Sequence, residues 1–126
     1  MTMKTRPKNL DLLSIRLPLP GKLSILHRVS GAGLFLMLPL LLCTLDYSLS
    51  SPVHFARIKL ALALWPVKLI AVALIWAFMH HFCAGIRFLL LDLQIGLEKE
   101  AARQSAAVAF AFSLILSALI AWRLVL

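Results

Sequence analysis

Two clusters of residues could do chemistry. Ser24, His27, Arg28 and Gly31 stand at i, i+3, i+4 and i+7. That spacing puts them on one face if a helix starts near Lys22. A hydroxyl, an imidazole and a guanidinium on one face suit a ligand with carbonyl or carboxylate oxygens. Quinones have the first and haem propionates the second, and the guanidinium fork matches a carboxylate. The plainer reading is that Arg28 snorkels to lipid phosphate, Ser24 helps to cap the helix and His27 faces interfacial water. The second cluster is His80 and His81, deep in an apolar run. Ionisable residues at such depth mark function by default, and a neutral imidazole is a common axial ligand of haem iron. Gly85 follows His81 one turn later and leaves room for a flat macrocycle or a close helix. Consecutive residues project about 100° apart on a helix of 3.6 residues per turn, so His80 and His81 cannot address one ligand equally. The plainer reading for either is an interhelical hydrogen bond. Arg87 and Asp92 bracket the end of the same run. They could simply anchor it, or complete one pocket with Ser24 and Arg28.

These residues need elements to position them, and the composition dictates which. Of 126 residues, 62% are hydrophobic and 14% charged, with a mean hydropathy of +0.95. A soluble domain carries about 45–50% apolar and about 25% charged residues. Three stretches free of charge, Val29–Leu45, Leu69–Ile86 and Gln104–Trp122, meet the length needed to cross a bilayer. Each must be helical, because lipid offers no partners to the backbone. The expected architecture is an all-α membrane protein, one domain over 1–126, with spans at about 23–46, 66–92 and 103–124. A short surface helix is expected over His54–Leu64, with Ser50, Ser51 and Pro52 as start signals and a break at Trp65 and Pro66.

The net charge of +8 does not point to nucleic acid. Six of the thirteen Lys and Arg precede the first apolar run. Nine lie on the side of the N-terminus and three or four on the other, which places the N-terminus in the cytoplasm. The first 28 residues hold Pro7, Asp11, Pro18 and Pro20, and read as an ordered extended cytoplasmic segment and not as a signal peptide. Cys43 and Cys83 sit in different apolar runs and read as packing residues. Ser105, Ser113 and Ser117, among alanines, read as a close-packing stripe. With no Asp or Glu inside the charge-free runs and too few spans for an inverted repeat, a transporter is disfavoured. A cofactor-free helical scaffold remains a rival.

Three segments together carry a resemblance: Arg6 to Leu12 (RPKNLDL), Ser24 to Gly31 (SILHRVSG) and His81 to Arg87 (HFCAGIR) followed by Asp92. In order and spacing they resemble the cytochrome b556 subunits of succinate dehydrogenase (complex II), over nearly the whole chain. The resemblance implies one of two small anchors in the bacterial inner membrane, not catalytic as an isolated chain. They would hold a flavoprotein subunit with FAD and an iron–sulfur subunit with its clusters. Haem b would lie between the anchors, with His81 as this chain's axial ligand to the iron. His27 and Arg28 would lie near the haem propionates. Ser24 and Arg28, with Asp92, would line the ubiquinone site. Many relatives have a histidine directly after Gly-Ile-Arg, where this chain has Phe88. An anchor of a fumarate reductase is the near alternative.

Overall fold

The computed structural model describes residues 16–125. It consists of α1 (Leu19–Leu49), α2 (Pro52–Ala63), α3 (Trp65–Asp92) and α4 (Lys99–Val125). Three of these are long and apolar enough to cross a membrane. At 1.5 Å per residue they run about 40–46 Å, so their ends project beyond a hydrocarbon layer of about 30 Å. The segment Arg6 to Leu12 and most of the expected extended N-terminal segment lie outside the described residues.

The helix limits follow from local chemistry. α1 begins four residues before the expected start. Pro20 falls in its first turn, where a missing N–H leaves no bond unmade. The N-cap is therefore Pro18, and Ser24 sits in the second turn, where it caps nothing. Ser51 caps α2, accepting from the His54 N–H at 3.1 Å. The break before α3 is the extended Leu64, with Trp65 and Pro66 already in the first turn. α3 ends in a Schellman turn. The Ile95 N–H donates to the Leu90 carbonyl and the Gln94 N–H to that of Leu91. Gln94 takes the left-handed conformation there (φ 63°), and Gly96 (φ 77°) completes the reversal into α4.

α3 is central and packs on both α1 and α4, while α2 closes the far end against α1 and α3. α1 and α4 begin, and α3 finishes, at one end of the bundle, the proximal end. The core is small: Leu23, Ala84, Ala106 and Ala109, with Leu19, Phe88 and Phe110 against it. Ser113 and Ser117 are buried and donate to the carbonyls of Phe110 and Ser113 in their own helix. Small residues of this kind let α4 approach closely, which is what drives helix association in lipid. The most apolar window of α1 is only 6% buried, so most of its surface faces outward.

Candidate functional site

The site is built where α1 crosses α3. The imidazoles of His27 and His81 stack face to face, with centroids 4.2 Å apart and planes 5° from parallel. Phe88 tilts against the other ring of the pair, at 5.1 Å from His27. Two glycines make this approach possible. A Cβ on Gly31 would come within 2.7 Å of His81 Cε1, and one on Gly85 would lie 3.6 Å from His27 Nε2. Each glycine therefore makes room for the histidine of the facing helix.

The geometry sets the protonation pattern of His81. Its Nδ1 lies 3.0 Å from the backbone carbonyl of His27. A carbonyl can only accept, so Nδ1 carries the hydrogen and donates. In the neutral ring Nε2 then holds the lone pair. Nε2 has no hydrogen-bond partner among the described residues and is not buried. This is how proteins prepare a metal-ligating imidazole: one nitrogen is held by a carbonyl and the other is left basic and aimed outward. His81 lies eleven residues before the end of α3, about 16 Å from it along the axis. Among the described residues no three His, Cys, Asp or Glu side chains are grouped to hold a metal. A metal held by His81 would take its other donors from outside the described residues of this chain.

His80 is a different object. It is fully buried between Trp76 (5.3 Å) and Phe110 (5.0 Å) in the core beside α4. Neither ring nitrogen has a hydrogen-bond partner among the described residues, and the nearby Leu23 backbone does not reach bonding geometry. The 100° between neighbours thus sends one imidazole outward and the other into the core. The interhelical hydrogen bond expected of either histidine is present for His81 only.

The remaining candidates are spread around the proximal end. Ser24 lies one turn before His27 and is half-buried, and Arg28 is exposed. Asp92 is the last residue of α3, on the face of His81, and is also exposed. Ser24, Arg28 and Asp92 share no hydrogen bond or ion pair among the described residues. Arg87 does not join them. It is buried and turns to α4, where Nε donates to Ser105 Oγ at 3.0 Å and Nη2 to the Ala102 carbonyl at 3.1 Å. Sequence reasoning missed this clasp, as it missed the stacked histidines. Ser105 had no mark to distinguish it from the other small residues of its helix, and the residue that selects Arg87's partner is 18 positions away.

Three long apolar helices carrying an outward imidazole at their crossing define a multi-pass membrane subunit with a candidate cofactor ligand. The comparison with known proteins makes this specific. The profile of the succinate dehydrogenase/fumarate reductase transmembrane subunit family matches residues 2–120, and the chain belongs to that family. It is 33% identical over 114 residues to the succinate dehydrogenase cytochrome b556 subunit of Paracoccus denitrificans, covering 90% of this chain and 88% of the relative. It is 37% identical over 111 residues to the subunit of that name from Coxiella burnetii, covering 87% and 89%. With that of Rickettsia felis it shares 32% over 98 residues, covering 76% and 74%.

Proposed function

We propose that this chain is a membrane-anchor cytochrome b subunit of a succinate:ubiquinone oxidoreductase, sharing haem b with a second small anchor. It would work only with that anchor, a flavoprotein subunit carrying FAD and an iron–sulfur subunit. The observation that carries the reading is the His81 tautomer: Nδ1–H held by the His27 carbonyl, Nε2 basic and outward. The names of the relatives in Paracoccus and Coxiella support it. Bound haem would supply one-electron transfer. His81 would hold the iron from this side, and the partner anchor would cover the outward face of α1 and α3. His27 and Arg28 would meet the propionates.

The charge distribution supports a cytoplasmic proximal end in a bacterial inner membrane. The soluble subunits would then dock there, and ubiquinone would be reduced near Ser24, Arg28 and Asp92. The Ser24 hydroxyl donates to a quinone carbonyl. The Arg28 guanidinium stabilises negative charge as it develops on the quinone oxygen, at a fixed position and without reorganisation. Asp92 holds protons at the water-facing rim. The matching family spans fumarate reductase subunits too, and an anchor of that type, running the opposite net flux, is the alternative. The test is haem content in the complex carrying His81→Ala. Haem should fall to background while the wild-type complex is loaded. A fully loaded His81→Ala complex would place the ligand elsewhere.

A further inference from the structure

A buried cation on the side of α3 away from His81 has no counter-charge among the described residues. Arg87 is 6% exposed and no carboxylate reaches it among the described residues. Its hydrogen-bond partners Ser105 Oγ and the Ala102 carbonyl are neutral, the Phe88 ring centroid lies 5.4 Å from its guanidinium carbon, and Nη1 has no hydrogen-bond partner among the described residues. Buried charges are ordinarily paired, because leaving water is costly unless something replaces it. Nη1 is not sealed off, since Arg87 lines a cavity of about 480 Å³ open to the outer surface of the bundle between α3 and α4. The rest of that groove is apolar: Phe82, Ile86 and Leu90 from α3, Val108 and Phe112 from α4.

Depth fixes what such a groove can take. Arg87 is five residues from the end of α3, and Ser105 six from the start of α4. At 1.5 Å per residue that is about 8–9 Å below the helix ends, the level where lipid headgroups meet acyl chains. From Leu90 to Phe82 the groove continues for about 12 Å toward mid-membrane. An occupant must have one anionic group at the interface and a flexible hydrocarbon tail pointing inward. We propose that this groove is a binding site for an anionic phospholipid, its phosphate on Arg87 and one acyl chain between α3 and α4. The phosphate supplies the acceptor that Nη1 lacks in a charge-assisted contact. The site does not depend on any cofactor at His81, from which the groove-facing residues of α3 point away.

The test uses the full chain, tagged and extracted mildly with whatever subunits accompany it. Tightly held phospholipids are counted by mass spectrometry after detergent washing. The wild type should retain about one anionic phospholipid per chain. The ratio of phosphatidylglycerol plus cardiolipin to phosphatidylethanolamine should exceed that of the membrane roughly tenfold, a modest yield for one charge-assisted contact. Val108→Trp fills the groove from an exposed position and leaves the Arg87–Ser105 clasp in place, so it tests occupancy without loosening the fold. It should return the ratio to that of the membrane. Dioleoylphosphatidylglycerol added to the delipidated wild type should raise its melting temperature, and dioleoylphosphatidylcholine should not. Anionic lipid retained unchanged in Val108→Trp would overturn the proposal. So would a photo-crosslinker at position 108 that captures a partner subunit in place of lipid.

Discussion

Adding one methyl group at Gly31 should displace the proposed ligand imidazole of His81 without altering that side chain itself. In Gly31→Ala the new Cβ would stand 2.7 Å from His81 Cε1 and 3.0 Å from Nδ1. Carbon atoms rest at about 3.5–4.0 Å, so the ring must withdraw by about 1 Å. The Nδ1 bond to the His27 carbonyl, now 3.0 Å, cannot survive that movement, since contacts near 3.6 Å no longer qualify. Metal ligation tolerates errors of only about 0.2 Å. Loss of an outer-shell partner typically costs about 10–100-fold in metal affinity, or about 1.4–2.7 kcal/mol. The assay is haem per chain by pyridine haemochrome in the purified complex, with a circular dichroism melt to follow the fold. Gly33→Ala is the control on the same helix, because nothing lies within 4 Å of its Cβ. It should keep full haem. A Gly31→Ala complex with stoichiometric haem and an unchanged spectrum would show that Gly31 does not position His81, as would equal damage from Gly33→Ala.

Other expectations are as direct. Arg28→Leu should cut ubiquinone reduction by about 10²-fold, the usual cost of losing one preorganised stabilising donor, while succinate oxidation with an artificial acceptor persists. Unchanged quinone turnover would remove Arg28 from the site. His80→Phe replaces a buried, unpartnered imidazole that costs about 1–3 kcal/mol, so the melting temperature should hold or rise and haem should stay bound. Loss of haem there would make His80 the ligand. Ser113→Leu, at a fully buried position of α4, should destabilise the bundle by about 1–3 kcal/mol through overpacking, seen as an earlier melt.

The three spans were legible because lipid permits little else. Charge-free runs of sufficient length must be helices, and their number sets the topology. The limits shifted where proline was read as an interruption. Pro20 and Pro66 sit in first turns, where proline is at home, so α1 starts at Leu19 and α3 at Trp65. The site was legible in part. The turn of 100° per residue separated His80 from His81, but only packing shows which of them enters the core. Gly31 stood on the expected face of α1, yet its purpose lies on α3, 50 residues on, where His81 needs the space. The partners of Arg87 were likewise set by how α3 and α4 cross, which neither helix encodes alone.

In the proposed function this chain ties succinate oxidation to a b-type haem. The most direct measurement is an optical difference spectrum of the mildly extracted, tagged chain with its partners after adding succinate. Reduced b-haem bands should appear with succinate and vanish in His81→Ala. Absence of haem even after dithionite would contradict the His81 assignment and leave a cofactor-free scaffold, while haem that only dithionite reduces would contradict the link to succinate.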